Sequence, residues 1–109
     1  MNNSARRIAF EVICDVEFEG AYSNLLLPKR LSDSQLERRD SGFATELVYG
    51  TLRMKRLLDH YIARSSNIAL SEIDPKVLVV LEMGSYESLL LKHPAHAVVN
   101  ETVELAKTV

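Results

Sequence analysis

The sequence predicts an all-α fold, and three observations support that prediction. Apolar residues recur at helical spacings of three and four along most of the chain. No segment shows the strict apolar and polar alternation of strands or a two-residue hairpin signal. A chain of 109 residues with 47% hydrophobic and 26% charged residues is typical of one globular domain. We therefore expect residues 1–109 to form a single helical domain.

The first two predicted helices lie within the first 31 residues. Ser4 is a plausible N-cap for the first helix, and Gly20 marks its end. Its apolar residues have the spacing of a buried stripe: Ala5, Ile8, Ala9, Val12, Ile13 and Val16. Ser23 should cap a short second helix, which Pro28 should disturb.

A long middle helix is expected next. A cap-rich turn at Ser32–Ser34 should start it, and it should run to about Arg64, with a possible break within Arg39–Gly42. One apolar stripe follows it: Phe43, Leu47, Gly50, Met54, Leu58, Tyr61 and Ile62. Glycine in mid-helix costs up to about 1 kcal/mol relative to alanine, so Gly50 on the packed face predicts that another helix crosses at close range. The alternative is a kink or a helix boundary at Gly50.

Two further helices are predicted after a loop at residues 65–71. Asp74 as cap and Pro75 at the first helical position should start a helix that reaches about Lys92. This helix is apolar nearly all round, which predicts a place at the centre of a bundle. Small residues near one side of it suggest another close helix approach: Gly84, Ser85 and Ser88. Pro94 should end it or open the last helix, which continues to the end of the chain.

Charge and cysteine content narrow the functional classes. Lysine and arginine total 13 against 15 acidic residues, so the net charge of -2 gives no global argument for nucleic acid. Cys14 is the single cysteine, which excludes an internal disulfide and fits a reducing compartment. No apolar segment has the length and purity of a signal peptide or a membrane span. We expect a cytoplasmic protein with Cys14 buried.

The sequence carries no recognisable catalytic motif. It lacks a glycine-rich phosphate or dinucleotide loop, a serine elbow and a cysteine pair. His93 and His96, with Glu101 and Glu104, do not have the His-Glu-x-x-His spacing that places two imidazoles on one metal. We therefore predict no catalytic residues, no metal site and no cofactor site in this chain.

Cations cluster along the predicted middle helix. Four of them form what we call the cation strip, away from the apolar stripe: Arg53, Arg56, His60 and Arg64. Arg6 and Arg7 add two charges at the start of the first helix, where backbone N–H groups also favour an anion. Arginine suits phosphate because its planar fork donates paired hydrogen bonds. The strip is either a solvated face with acidic partners such as Asp59 or a surface for RNA or DNA.

The order of three segments resembles a known family. "ARRIAFEVICDVEFEGAYSNLLL", "FATELVYGTLRMKRLLDHYI" and "VLVVLEMGSYESLLLKHPAHAVVNETVELAK" are similar to the NusB-like domain. Within that group they most resemble the N-terminal domain of the RsmB (Sun) ribosomal RNA cytosine-5 methyltransferases. The most specific parts are "ELVYGTLR" and "HPAHAVVNETVELAK". The second is also similar to the transcription antitermination factor NusB, a shorter relative that binds RNA.

The resemblance implies an all-helical fold of two small packed bundles and RNA as the partner. In such methyltransferases this domain helps to position small-subunit (16S) ribosomal RNA. A following Rossmann-like domain binds S-adenosylmethionine and carries two catalytic cysteines. With Cys14 alone, this chain is expected to be an RNA-binding fragment of a longer enzyme. The alternatives are a stand-alone antitermination factor and a helical protein-interaction domain without a role in RNA binding.

The resemblance also suggests RNA-binding residues. The arginine-rich start of the first helix corresponds to Arg6 and Arg7, and replacing both by alanine should weaken RNA binding without changing helicity. Arg53 occupies the arginine of the "GTLR" motif, with pairing to Glu46 or Glu104 as its structural alternative. Two further contacts are predicted only from the clustering of cations around the strip: Lys55 and Arg56.

Two departures from the family pattern matter. Relatives commonly have an arginine where Glu82 stands, which puts any role of that cation in doubt. Relatives also continue past "ELAK" into a further helix. Without it, apolar surface should be uncovered around Val99, Val103 and Ala106, and uncovered apolar surface promotes association. We therefore expect a homodimer or a swapped assembly.

Overall fold

The computed structural model describes residues 3–109, with side chains from residue 5 onward. This part of the chain contains six α-helices, one 3₁₀ turn at Leu70–Glu72 and no strand. The helices are α1 (Asn3–Glu19), α2 (Ser23–Ser34), α3 (Arg38–Arg53), α4 (Lys55–Ser65), α5 (Pro75–Leu89) and α6 (Ala95–Ala106). The predicted all-α class is confirmed.

The helices pack as two groups that share one core. In the first group α1 packs against α2 and α3, and in the second α5 packs against α4 and α6. α1 and α3 also contact α5, which joins the groups. All six helices contribute to the joint core, which includes Ile13, Leu27, Leu47, Leu58, Met83 and Leu105 from α1 to α6 in turn. The central place predicted for α5 follows from its contacts with α1, α3, α4 and α6.

Two helix ends fixed by local chemistry lie where they were predicted, the end of α1 and the start of α5. Gly20 follows α1 with φ of 76°, a left-handed conformation that glycine adopts without strain. The Asp74 carboxylate accepts hydrogen bonds from the backbone N–H of Lys76 at 2.9 Å and of Val77 at 3.3 Å, and so caps α5. The predicted cap at Ser4 involves a side chain outside those described. The predicted cap at Ser23 is wrong, because Ser23 is the first residue of α2 and the N-cap is Tyr22, without a side-chain cap hydrogen bond. α5 ends at Leu89, before the expected Lys92.

The predicted turn after α2 is wrong. Ser32–Ser34 forms the last turn of α2, and Gln35, with φ of 61°, ends that helix. Pro28 lies inside α2 and does not stop it, because Leu27 is buried in the core and Leu31 packs against it. Packing of the apolar face therefore outweighs the local cost of proline.

The predicted long middle helix is two helices. The break lies at Met54, with φ of -98° and ψ of 14°, and neither within Arg39–Gly42 nor at Gly50. The Met54 N–H still donates to the Gly50 carbonyl at 2.9 Å, so the backbone bends without losing this hydrogen bond. The predicted close approach at Gly50 is confirmed. A methyl group there would lie 2.1 Å from the Tyr86 ring of α5.

The surface of α6 is partly uncovered, as expected. Val99 and Val103 are 58% and 47% exposed, whereas Ala106 packs against the core, contrary to prediction. Tyr61, predicted in the buried stripe, is 43% exposed and lines the same groove between α4, α5 and α6. The association expected from this surface stays a prediction. Within residues 3–109 no helix is both long and apolar enough to cross a membrane.

Candidate nucleic-acid interface

The cation strip lies on the surface. Arg53 is in the last turn of α3, and the others follow at intervals of four residues on α4, which places them on one helix face: Arg56, His60 and Arg64. All four side chains belong to exposed residues. Among the side chains of residues 5–109, no carboxylate oxygen lies within 4.0 Å of their charged nitrogens. The strip therefore presents cationic donors to solvent.

The structural alternative for Arg53 is not observed among these side chains. Glu46 instead accepts a hydrogen bond from the Tyr86 hydroxyl, and Glu104 lies 3.6 Å from Lys107. Burial and the Glu46 carboxylate raise the pKa of Tyr86, while the nearby charge of Arg53 lowers it. Tyr86 is thus a core residue whose ring packs over Gly50, and it does not present a face for stacking on a base.

Tyr61 is a surface feature that sequence reasoning missed. It lines an open cavity of about 610 Å³ together with His60 and Arg64, between α4 and the end of α5. Helical periodicity assigned it to the core stripe, but on α4, which begins after the break at Met54, Leu58 and Ile62 are buried and Tyr61 is 43% exposed. An exposed aromatic ring beside a histidine and an arginine is a surface on which an unpaired base can stack.

Arg6 points into the protein. Its Nε and Nη2 donate to the two carboxylate oxygens of Glu87 at 2.9 and 2.7 Å, and its guanidinium lies 4.9 Å from the Phe43 ring centroid. Nη1 is also 3.7 Å from Glu101. The side chain is 11% exposed. The geometry thus assigns Arg6 to the fold, and we leave it out of the phosphate-binding surface predicted from its position in the sequence.

Glu87 is the centre of this buried ion pair. Its side chain is 2% exposed, and besides Arg6 it contacts the His93 ring, with Nδ1 at 3.2 Å. Lys92, with φ of 57°, turns the chain after α5 so that His93 lies over α3, where its ring centroid is 5.8 Å from that of Phe43. Arg7, one residue after Arg6, has a 42% exposed side chain and lies 3.9 Å from Glu11 on α1.

Lys55 also has internal partners. Its ammonium lies 3.2 Å from an oxygen of Asp59 and 3.8 Å from oxygens of Glu17 and Glu82, which belong to α4, α1 and α5. Burial would lower the pKa of Lys55, but these carboxylates together raise it. Lys55 therefore joins three helices at the start of α4, and its predicted contact with RNA has no support from this placement.

Glu82 is the second buried glutamate of α5. It is 2% exposed, and among the described residues its Oε2 atom has no hydrogen-bond partner. Burial, and then the neighbouring Asp59 carboxylate, raise its pKa to about 8, although Lys55 acts in the other direction. Glu82 therefore holds its proton at neutral pH. Glu82 is thus a buried carboxyl group of α5 whose proton is retained to a higher pH than that of an exposed glutamate.

The remaining candidate groups are the Cys14 thiol and the histidine and acidic side chains considered as metal ligands. Burial raises the pKa of the Cys14 thiol to about 11, so the nucleophilic thiolate is not formed at neutral pH. Within the described residues no three histidine, cysteine or acidic side chains are grouped as metal ligands. Of the five predicted contacts, the ones on the surface are Arg7, Arg53 and Arg56, and the ones in internal ion pairs are Arg6 and Lys55.

The fold and this surface together define a small all-α domain with an exposed cationic face. The chain belongs to the NusB family, because the model of that family matches residues 3–109. The resemblance inferred from the three sequence segments is thereby confirmed.

Relatives fall into two groups. A putative methyltransferase of Mycobacterium tuberculosis is 44% identical over 102 residues, which cover 94% of this chain and 22% of the relative. The probable ribosomal RNA small subunit methyltransferase B of Bacillus subtilis is 38% identical over 95% of this chain and 23% of the relative. The transcription antitermination protein NusB of Thiobacillus denitrificans is 32% identical over 94% of this chain and 72% of the relative. The chain thus spans about a quarter of the methyltransferases. No solved structure matches it significantly.

Proposed function

We propose that this chain is the RNA-binding domain of a 16S ribosomal RNA (cytosine-5) methyltransferase of the RsmB type. In this proposal it positions small-subunit ribosomal RNA, and a separate domain supplies S-adenosylmethionine-dependent methylation. Sequence identity supports the methyltransferase group. This chain is 33–44% identical to the small-subunit and putative methyltransferases and 28–32% identical to the NusB proteins.

The cation strip is the observation that carries the proposal. Two arginines and a histidine recur on one face of α4, and Arg53 extends the charge across the bend at Met54. Exposed guanidinium groups without carboxylate partners bind phosphate at little structural cost, because no internal ion pair has to be broken first. Tyr61, beside His60 and Arg64, adds a ring for stacking. The net charge of -2 points to modest affinity that depends on this local surface.

A titration of labelled single-stranded ribosomal RNA tests the proposal against a pure protein-interaction domain. Fluorescence anisotropy at about 50 and 200 mM salt should show affinity that falls steeply with salt, since phosphate binding releases counterions. Affinity independent of salt, or no binding at low salt, would contradict RNA binding through the strip.

A stand-alone antitermination factor is the second candidate, and the 72% coverage of a NusB relative favours it. The reading frame after codon 109 separates the two. Several hundred further codons with a glycine-rich cofactor loop and two cysteines support the methyltransferase. A nearby stop codon supports the antitermination factor.

A further inference from the structure

A second surface feature lies at the other end of α3 from Arg53. A cavity of about 270 Å³ opens beside the start of α3 and is lined by Arg6, Arg39, Asp40, Phe43 and His93. The length of α3 separates it from the strip, about 20 Å at 1.5 Å per residue. We refer to it as the α3 pocket. Its residues come from α1, from α3 and from the turn between α5 and α6.

The walls of the α3 pocket are rigid and partly aromatic. The buried Glu87 holds Arg6 and His93 through both carboxylate oxygens, and Phe43 contacts both of those side chains. Because Glu87 is 2% exposed and bonded to both, Arg6 and His93 have their positions fixed before any ligand arrives. A preorganised wall of ring and guanidinium groups favours a flat aromatic ligand, since it loses little entropy on binding.

The charges of the pocket argue against phosphate as the ligand. Arg6 is paired with Glu87, and Arg39 and Asp40 carry opposite charges at the opening, so the formal charges of these four groups sum to zero. Among the side chains of residues 5–109, no cation lies within 4.0 Å of the Asp40 carboxylate. An ionised carboxylate accepts hydrogen bonds and donates none, so the pocket suits a neutral ring that carries N–H donors.

We propose that the α3 pocket binds a single unpaired nucleobase bearing an exocyclic amino group, which donates to Asp40. Adenine, guanine and cytosine carry such a group, whereas uracil offers only its ring N3–H. The inference rests on the proposed RNA-binding function and extends it: the strip binds phosphates without regard to sequence, and the pocket distinguishes bases.

Nucleoside monophosphates allow the pocket to be tested apart from the strip. Backbone amide NMR spectra of the intact chain should show saturable shifts confined to residues 5–7, 38–43, 92, 93 and 95 on adding adenosine, guanosine or cytidine 5′-monophosphate. Uridine 5′-monophosphate should bind about fivefold more weakly, the worth of one hydrogen bond. Ribose 5-phosphate should produce no shifts there. Equal shifts with ribose 5-phosphate, or none with any nucleotide, would overturn the inference.

Variants sharpen this test. Asp40→Ala removes the acceptor oxygens and should abolish the preference for cytidine over uridine monophosphate. Asp33→Ala, the same change at an exposed carboxylate on α2, should preserve it. If Asp40→Ala retains the full preference, Asp40 does not read the base and the inference fails. Salt-dependent RNA binding without nucleotide shifts in the pocket would refute only this inference, whereas absence of RNA binding would refute the proposed function.

Discussion

Arg6 and Arg56 carry the same side chain in contrasting surroundings. Arg6 donates two hydrogen bonds to a carboxylate that is 2% exposed, while Arg56 is exposed with no carboxylate partner among the described side chains. The difference is made by Glu87 on α5, 81 residues from Arg6 along the chain. The comparison teaches that a cation in a family motif indicates its function only once its carboxylate partners are known. Arg6 stabilises the fold through its ion pair with Glu87, and Arg56 remains available to phosphate.

The largest effect on folding is expected from Arg6→Ala. The change leaves the buried Glu87 carboxylate without its main partner, and breaking a buried pair in this way costs about 3–5 kcal/mol. Urea unfolding followed by circular dichroism measures the loss. Arg7→Ala, the same change on a half-exposed neighbour, should stay within about 0.5 kcal/mol of the parent. Similar losses in both variants would contradict the assignment of Arg6 to the core.

This result bears on the Arg6 and Arg7 double variant. The sequence alone predicted that it would retain its helicity, but loss of the partner of Glu87 should unfold part of the population. Weaker RNA binding by that variant would therefore not locate the site. Adding Glu87→Gln to Arg6→Ala should recover part of the lost stability, since it removes the uncompensated charge.

Gly50→Ala should have the next largest effect. The new methyl group would meet the Tyr86 ring at 2.1 Å, and overpacking of this kind costs about 1–3 kcal/mol despite the better helix propensity of alanine. Gly42→Ala is the matched control, because it lies on the same helix with no atom within 4 Å of the added group. It should be neutral or stabilising by up to about 1 kcal/mol. Thermal unfolding that shows both variants stabilised would contradict the close packing at Gly50.

Glu82→Gln should alter how stability depends on pH. From about pH 4.5 to about 8 the folded chain keeps the Glu82 proton and the unfolded chain has lost it, so stability falls as pH rises through this window. Glutamine removes that loss and should stabilise the protein at pH 9 by on the order of 1 kcal/mol or more. Unfolding midpoints at several pH values measure the effect. A parent and a variant with parallel pH profiles would show that Glu82 is not neutral in the core.

Local chemistry explains which parts of this fold the sequence could predict. The start of α5 follows from the Asp74 cap, and the end of α1 from Gly20, because both signals act within a few residues. The bend at Met54 carries no such signal, since no proline or glycine occupies it. The persistence of α2 through Pro28 likewise depends on core contacts made by Leu27. Tertiary packing determines both the break at Met54 and the continuation of α2 through Pro28, and a single sequence does not show that packing.

The same limit applies to the candidate site. The strip was predictable because helical spacing places Arg56, His60 and Arg64 on one face whatever surrounds them. Arg6 and Arg7 could not be separated in the sequence, since they are adjacent on one helix and differ only in whether they meet Glu87. The α3 pocket depends on contacts between α1, α3 and the turn at His93, so no local sequence pattern could predict it.

The smallest effect on folding, and the most direct test of the account, comes from the strip. Arg53→Gln with Arg56→Gln should leave stability within about 0.5 kcal/mol, because both side chains are exposed. Lys29→Gln with Lys107→Gln removes the same charge from an exposed position on α2 and from one that directly follows α6, and serves as the control.

The decisive measurement is the slope of the logarithm of the RNA binding constant against the logarithm of salt concentration. If Arg53 and Arg56 each neutralise one phosphate of a single strand, their loss should reduce the steepness of that slope by about 1.4, and the control should change it little. Equal slopes for the strip variant, the control and the parent would show that RNA does not bind this face of the domain.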